Sequence, residues 1–176
     1  MEDFIKEKTK YYKSFNDKLQ GKNNFQFEVN GIYKIDHSDN WEWFHYSQYA
    51  SPTIKFQDSE TRIRMCIVEP LGRIYKYKYR SNFYNKGYYY TTNIIRICNE
   101  LSVNEILDVL TNEKCNFLYL LRKIKPPFDF LLTNKKKIRG NSISSLIAKR
   151  RDLSDEEKYE LLPKSQYKRV MRIQWY

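Results

Sequence analysis

The residue best placed to do chemistry is His45, which lies in the aromatic segment WEWFHY at residues 41 to 46. A neutral imidazole among aromatic rings is able to act as a general base or to hold a ribose hydroxyl. His45 and Tyr46 are therefore the candidate catalytic residues, and Trp41, Trp43 and Phe44 would complete an aromatic pocket with His45. A histidine hydrogen-bonded within an aromatic core is the alternative interpretation.

Other signatures of catalysis and cofactor binding are missing from the sequence. The motifs G-x-G-x-x-G, G-x-x-x-x-G-K-[ST], G-x-S-x-G and HExxH do not occur. The cysteines Cys66, Cys98 and Cys115 lack CxxC spacing and stand among apolar residues, so we expect buried thiols rather than a metal site. The sequence therefore predicts no cofactor and no metal, and it favours a protein that is not an enzyme.

A second candidate surface is the tyrosine-rich stretch RIYKYKYRSNFYNKGYYYTTNIIRI, residues 73 to 97. It holds seven of the sixteen tyrosines and six of the thirty-two lysines and arginines. Alternate residues of a strand face opposite sides, so tyrosines and lysines are sorted onto different faces. Because bases stack on aromatic rings, this pattern predicts a stacking platform made by Tyr75, Tyr77 and Tyr79. The alternative is that these rings pack inward while the lysines protect an edge strand.

The strongest charge signal lies towards the C-terminal end. Residues 133 to 176 hold twelve Lys and Arg against five Asp and Glu, a balance of +7, and residues 1 to 132 hold twenty against sixteen, a balance of +4. An acidic partner should meet this basic region, and nucleic acid is the simplest such partner, with an acidic protein surface as the other. The alternative is excess charge that only keeps the protein soluble. The candidate binding residues are Lys135, Lys136, Lys137, Arg139, Lys149, Arg150, Arg151, Lys168, Arg169 and Arg172.

Periodicity divides the chain into a sheet followed by helices. Alternating apolar residues predict strands at 11 to 15, 25 to 29, 31 to 35, 62 to 69, 73 to 80 and 88 to 98, with a helical turn as the alternative around 42 to 50. Capping boxes predict helix starts at Ser102, with Glu105, and at Ser154, with Glu157.

Two further apolar stretches predict helices in the last third of the chain. The run CNFLYLLRKIK is halted by Pro126-Pro127, and SISSLIAKRRD has the pattern of a short helix. The final QYKRVMRIQWY fits either a strand or a helix. The predicted fold is α+β, with a small, mostly antiparallel sheet over residues 11 to 98 and packed helices after it. We expect a compact domain at 1 to 132 and a basic helical extension, docked on it, at 133 to 176.

Short motifs along the first two thirds resemble an uncharacterised domain of phage and prophage proteins. YKSFNDKLQGKNNFQFEVNGIYK, residues 12 to 34, is similar to that domain's opening, K-A-F-N, then G-F-Q-Y-E-V-G, then K-x-Y. VEPLGR at 68 to 73 stands where the domain has V-E-A-L-G-E, and TNIIRI at 92 to 97, followed by Glu100-Leu101, where it has T-N-K-I-R-I and E-L. WFHYS at 43 to 47 keeps only the aromatic–histidine pair of its G-F-H-A-C. The resemblance covers residues 12 to about 110 and implies a phage, prophage or large DNA virus origin, with no assigned activity.

These features predict a non-enzymatic viral or phage accessory protein that binds an acidic partner through its basic C-terminal region. The pattern of that phage and prophage domain is in turn similar to ADP-ribosyltransferase sheets, whose strand-borne His, Tyr and Glu residues bind NAD. An ADP-ribosyltransferase-like or degenerate NAD-binding enzyme is therefore the alternative. No apolar run of 18 residues occurs, and the start MEDFIKEKTKYYK lacks the apolar stretch of a signal peptide. We therefore expect an intracellular protein, in host cytoplasm or virion, without a membrane partner.

Overall fold

The fold combines one antiparallel sheet with a set of short helices. A computed structural model describes residues 9–21, 25–36, 43–54, 63–79, 87–165 and 167. Within these ranges it contains a seven-stranded antiparallel sheet and six α-helices, which confirms the predicted α+β class. The chain divides into two compact units, Met1–Cys115 and Asn116–Tyr176. The compositional boundary between residues 132 and 133 falls inside the second unit.

Seven strands form the sheet of the first unit. They are β1 (Tyr11–Phe15), β2 (Ile32–Lys34), β3 (Phe44–Ser47), β4 (Arg64–Pro70), β5 (Ile74–Tyr79), β6 (Gly87–Thr92) and β7 (Ile94–Glu100). Their order across the sheet is β2-β7-β4-β1-β3-β6-β5. Since β4 pairs with β7 and β5 pairs with β6, these four strands are the two arms of one long, interrupted hairpin.

The sheet curls because the second arm of this hairpin changes neighbours at Asn93. β6 ends at Thr92 and β7 begins at Ile94, so the Cα atoms of these two residues lie within about 7.5 Å of each other. In the sheet order, however, β4, β1 and β3 stand between β7 and β6. A flat sheet with strands about 4.8 Å apart would separate β6 from β7 by about 19 Å, so the sheet must curl until the two meet at Asn93.

The inner face of this curled sheet carries an aromatic and aliphatic core. Ring contacts join its strands to the loop after β1, because Phe27 lies 5.0 Å from Phe15 and 5.8 Å from Phe44 between ring centres. Such aromatic pairs add stability beyond the area they bury. The buried members of the core are Phe15, Leu19, Phe27, Phe44, Tyr46, Cys66, Val68, Tyr90, Ile95 and Ile97.

A short buried helix, α1 (Ala50–Ile54), contacts β1, β3 and α2 (Val103–Asn112). The Ser14 hydroxyl of β1 and the Thr53 hydroxyl of α1 share a hydrogen bond of 2.6 Å. Glu113, at the end of α2, accepts the backbone N–H groups of Ala50 at 2.6 Å and Ser51 at 2.8 Å. A carboxylate at this position satisfies otherwise orphan N–H groups at the start of α1 and complements the helix dipole. Two helices distant in sequence are thereby tied together.

The second unit is helical in its described part. Its helices are α3 (Phe117–Lys123), α4 (Phe128–Thr133), α5 (Asn141–Ala148) and α6 (Asp155–Leu161), with a 3-10 helix at Lys135–Lys137 between α4 and α5. α3 contacts α5, and α4 contacts α6. They enclose a core of Leu121, Leu131, Ile138, Ile147, Ala148, Leu153, Leu161 and Leu162.

Several local predictions are confirmed. β1, β2, β4 and β5 lie where the alternating pattern indicates strands. Both capping boxes form, so Ser102 starts α2 and Ser154 starts α6, each with the glutamate three residues on. α3 ends before the two prolines, and α5 overlaps the start of SISSLIAKRRD, beginning one residue earlier at Asn141. These features depend on interactions within a few residues, which is why the sequence alone indicates them.

Other local predictions are wrong or incomplete. Residues 25 to 29 are not a strand, because Gly21 and Phe27 use their N–H groups in a tight local pairing around the Gln20–Gln26 bridge. Residues 88 to 98 form two strands rather than one, since Asn93 breaks the ladder. Residues 44 to 47 are a strand, and the helix starts only at residue 50. The sequence pattern missed α4, and the final QYKRVMRIQWY lies outside the described residues except for position 167.

The prediction of buried thiols holds for one cysteine. Cys66 is buried on the inner face, and burial raises its pKa to about 12. Cys98 and Cys115 are only partly buried, which corrects the expectation for them.

Candidate functional site

The first group of predicted cationic residues lies between α4 and α5. Lys135, Lys136 and Lys137 form a single 3-10 helix, and Arg139 lies two residues further on. All four side chains are exposed. Among the described residues, no carboxylate lies within ion-pair distance of any of the four. Because a 3-10 helix turns about 120° per residue, the three lysines point in different directions around it.

The second group lies at the other end of α5. Lys149 is the C-cap of α5, and Arg150 and Arg151 follow it. α5 has eight residues, so the two groups are separated by about 12 Å along its axis. Lys149 and Arg151 are exposed, and neither has a carboxylate partner in the part of the chain that the structure describes.

Arg150 differs from its neighbours because its guanidinium is held within the unit. Nη1 donates to the carbonyl oxygen of Pro126 at 2.6 Å, while Nε and Nη2 donate to the two carboxylate oxygens of Asp152. The side chain is only 8% exposed. Hydrogen bonding from Arg150 holds the pKa of Asp152 below its usual value. Arg150 therefore stabilises the loop after α5, and its side chain is too buried to belong to a surface that a partner could contact.

The positive charge of the second unit is concentrated before α6. Residues 116–176 hold fifteen Lys and Arg against six Asp and Glu, a balance of +9, whereas residues 1–115 hold seventeen against fifteen, a balance of +2. Residues 116–151, which we call the basic segment, hold ten against one, again +9. Residues 152–176 are balanced at five against five. The basic segment therefore accounts for the unit's whole charge excess.

Sequence reasoning missed the cations of the basic segment that precede residue 133. Arg122, Lys123 and Lys125 lie on or just after α3, outside the compositional window that began at residue 133. A charge count over a sliding window would have included them. Arg122 and Lys125 are exposed.

The aromatic and histidine candidates do not form one pocket. Alternate side chains of β3 lie on opposite faces of the sheet, so His45 faces away from Phe44 and Tyr46, which belong to the inner face. Trp43 packs instead against Tyr75, with ring centres 5.2 Å apart. A ligand that contacted both His45 and Tyr46 would have to reach both faces of the sheet.

The tyrosines of β5 are partly packed and partly exposed. Tyr75 contacts Trp43 yet remains 44% exposed, and Tyr77 is half-buried. On the opposite face, the Lys76 ammonium lies 3.7 Å from the ring centre of Tyr88 on β6, a cation–π contact. Within β5 the tyrosines and lysines lie on opposite faces, as predicted by alternation, but Tyr88 of β6 places an aromatic ring beside Lys76 on the lysine face. Tyr75 is therefore packed on one side and open to solvent on another.

Several predicted site residues lie where the structure gives no side-chain description. Trp41, Lys168, Arg169 and Arg172 are outside the described residues, and so is the side chain of Tyr79. Their assigned roles stay predictions.

Lys13 is a residue that sequence reasoning did not select. It lies in the middle of β1 between two inward-facing aromatic residues, Tyr11 and Phe15. Its ammonium donates a hydrogen bond to the backbone carbonyl of His45 at 3.0 Å. Burial lowers the pKa of Lys13 to about 8. The alternation in YYKSF gave a signal, since it places this lysine on the same face as the two rings.

Comparisons with known proteins add no relative. No protein-family model matches the chain, and no curated protein matches it significantly. The resemblance to the phage and prophage domain stays a prediction. In the described part of the chain, no helix is long and apolar enough to cross a membrane.

Proposed function

We propose that this protein is a non-enzymatic accessory protein that binds nucleic acid through its phosphates, without sequence specificity, by means of the basic segment. The observation that carries this proposal is the segregation of charge. One unit of 61 residues has a balance of +9, while the other 115 residues have +2. Within the unit the excess lies entirely in residues 116–151. A viral or phage origin, suggested by the sequence motifs, is part of the same proposal.

The exposed cations suit phosphate contacts. Lys135, Lys136, Lys137, Arg139, Lys149 and Arg151 are in water, and among the described residues none is engaged by a carboxylate. A phosphate that binds such side chains does not have to displace an internal ion pair, and it releases condensed counterions from the nucleic acid. The two groups are separated by the length of α5, about 12 Å, so they would contact different phosphates.

The same cations would serve an acidic protein surface, the other predicted partner. Phosphate contact is favoured because six solvated point charges provide electrostatic attraction but little apolar area to bury. Specific protein interfaces usually contain a fully buried aromatic or aliphatic centre. The NAD-binding alternative has no supporting geometry among the described residues, because His45 and Tyr46 lie on opposite faces of β3.

Fluorescence anisotropy with labelled single- and double-stranded DNA and RNA tests the proposal on the full chain. If six cations contact duplex DNA phosphates, the slope of log K against log salt is near −5, so affinity falls by about 10³-fold between 50 and 200 mM salt. Oligonucleotides of different sequence should bind with similar affinity. Affinity that does not change over this salt range would contradict the proposal. Failure to bind any nucleic acid, together with salt-sensitive binding to polyglutamate, would favour an acidic protein partner.

A further inference from the structure

Lys13 places a positive charge on the inner face of the first unit's sheet. In the pairing of β1 with β4, Lys13 lies opposite Cys66, which is buried. Its ammonium lies 5.5 Å from the ring centre of Phe15 and 5.8 Å from that of Phe27. The residue as a whole is only partly exposed. A long cationic side chain is therefore directed into an aromatic environment.

This charge has no anionic partner within the described ranges. The hydrogen bond to the His45 carbonyl uses one of the three N–H groups of the ammonium, and the described residues supply no acceptor for the other two. Glu100 is the acidic residue aligned with Cys66 in the next strand, and Arg64 binds it, with Nε to Oε1 at 2.7 Å. A cation moved out of water without an anion is costly to hold.

A second polar group on the inner face also lacks a partner. The hydroxyl of Tyr46 is buried and has no hydrogen-bond partner among the described residues, and the residue is 1% exposed. Its ring is fixed by an edge contact with Tyr11, at 5.2 Å between centres, and by stacking on Tyr90, at 5.5 Å. A buried polar group left unsatisfied in this way costs stability.

Lys13 and Tyr46 are neighbours across two strands. β1 and β3 pair antiparallel with Tyr12 opposite Ser47, so the same register, continued by one residue, sets Lys13 opposite Tyr46. Residues opposite each other in an antiparallel pair share a face, with Cβ atoms about 5 Å apart. An ammonium with one hydrogen bond and a hydroxyl with none therefore start from neighbouring positions on one face.

We propose that the inner face around Lys13 and Tyr46 is a binding site for a small organic carboxylate. The anion accepts hydrogen bonds from the Lys13 ammonium and the Tyr46 hydroxyl, and it supplies the negative charge that the described residues of this face do not. The surrounding rings of Tyr11, Phe15 and Phe27 contact the apolar body of the ligand. The Lys13 ammonium is a charged donor, so it favours an anionic acceptor over a neutral amide and repels a cation.

Thermal unfolding of the full chain with a panel of matched ligands tests this site. The probes are benzoate, phenylacetate and hexanoate, each compared with its neutral amide. A ligand that binds only the folded protein stabilises it, so at ten times its Kd a carboxylate that fits should raise Tm by about 3 °C or more. The amides should give no comparable shift. A panel in which no carboxylate raises Tm, or in which the amides raise it equally, would overturn the proposal.

Three variants locate the effect. Lys13→Met should abolish the carboxylate shift, and Tyr46→Phe should weaken binding by about tenfold, because one hydrogen bond to the carboxylate is lost. Lys18→Met is the control, since Lys18 is an exposed lysine of the same unit that follows β1 in the chain. An equal shift in wild type and Lys13→Met would refute the site. If Lys13→Met did not fold, unchanged affinity in Tyr46→Phe would refute it instead.

The carboxylate site does not depend on nucleic-acid binding. Lys13 belongs to the first unit and the basic segment to the second. Substitutions in the basic segment should leave the rise in Tm caused by the carboxylate unchanged. Failure of one proposal can therefore be distinguished from failure of the other.

Discussion

The two units use their cations in opposite ways. In the first unit, Lys13 holds its charge on the inner face of a curled sheet, against aromatic rings and one backbone carbonyl. In the second, Lys135, Lys136 and Lys137 hold theirs in water on a short 3-10 helix. A buried charge lowers the stability of the fold unless a ligand compensates it, whereas an exposed charge costs the fold little and is available for long-range attraction.

Arg150 shows that neighbours in a basic run can differ, because one cation can be buried and hydrogen-bonded while the cations beside it are exposed. It stands between Lys149 and Arg151, which are both exposed, yet its guanidinium is bound by Asp152 and by the Pro126 carbonyl. A basic run in a sequence therefore mixes cations that stabilise the fold with cations that are exposed to solvent. The substitutions below separate these classes.

The largest stability effect is expected for Lys13→Met, which removes the buried charge and keeps the length of the side chain. Burial lowers the pKa of Lys13 from 10.5 to about 8, so the folded state disfavours the proton that the unfolded chain still binds. The penalty is fully present below pH 8 and disappears as pH rises to about 10.5. Met should therefore stabilise the protein at pH 7 by about 1–3 kcal/mol, after allowing for the lost hydrogen bond to His45.

Urea unfolding of both proteins between pH 6.5 and 9.5 measures this difference. Burial raises the pKa of Tyr46 and of Cys66, whose ionisation in the unfolded state acts in the opposite direction at high pH. The comparison with Lys13→Met cancels those shared contributions. The advantage of Met should shrink as pH rises above 8. A Met variant that is less stable than wild type at pH 7 would show that Lys13 is an ordinary structural lysine.

Arg150→Met should have a smaller effect on stability, and in the opposite direction, because it destabilises the fold. The change removes a guanidinium whose side chain is 8% exposed, and it leaves the Pro126 carbonyl and the Asp152 carboxylate, itself 58% exposed, without their donor. The loss should cost about 1–2 kcal/mol. Lys149→Met is the control that removes the same charge from the adjacent, exposed position, and it should change stability by less than about 0.5 kcal/mol. Equal losses in urea unfolding would contradict the distinction between the two cations.

The smallest effect is expected for Tyr75→Ala, which tests whether the tyrosine strand binds nucleic acid. The ring packs against Trp43 but is 44% exposed, so its removal should cost about 1 kcal/mol of stability. Affinity for single-stranded DNA and RNA should stay within about twofold. A tenfold loss of affinity would mean that a base stacks on Tyr75, because such stacking contributes about 1–3 kcal/mol.

The sequence predicts those parts of the fold that are decided within a few residues. The capping boxes at Ser102 and Ser154 each satisfy backbone N–H groups within one helical turn, so they are recognisable without tertiary contacts. The break at Asn93 is different. Its side-chain oxygen accepts the backbone N–H of Arg73, twenty residues away, at the point where the hairpin changes neighbours. No local pattern in TTNIIRI indicates that contact.

The candidate sites could be predicted only where the sequence shows which side chains share one face of a strand. The predicted pocket was based on aromatic residues adjacent in WEWFHY, whereas a strand places neighbouring residues such as His45 and Tyr46 on opposite faces. Lys13 was readable as sharing a face with two aromatic residues, but that face becomes buried only because the sheet curls. The extent of the basic segment required the boundary at residues 115 and 116, which depends on packing.

The salt dependence of a matched pair of variants tests the central claim most directly. Lys135→Gln, Lys136→Gln and Lys137→Gln together remove three exposed charges from the basic segment. The control replaces three exposed lysines of the first unit, Lys10, Lys18 and Lys114, in the same way. Net charge is then equal, at three below wild type.

If the basic segment binds phosphates, the first variant lowers the steepness of log K against log salt for duplex DNA by about 2.7, and the control leaves it unchanged. Equal slopes for the two variants would mean that net charge alone attracts the nucleic acid. That result would contradict the assignment of the binding surface to residues 116–151.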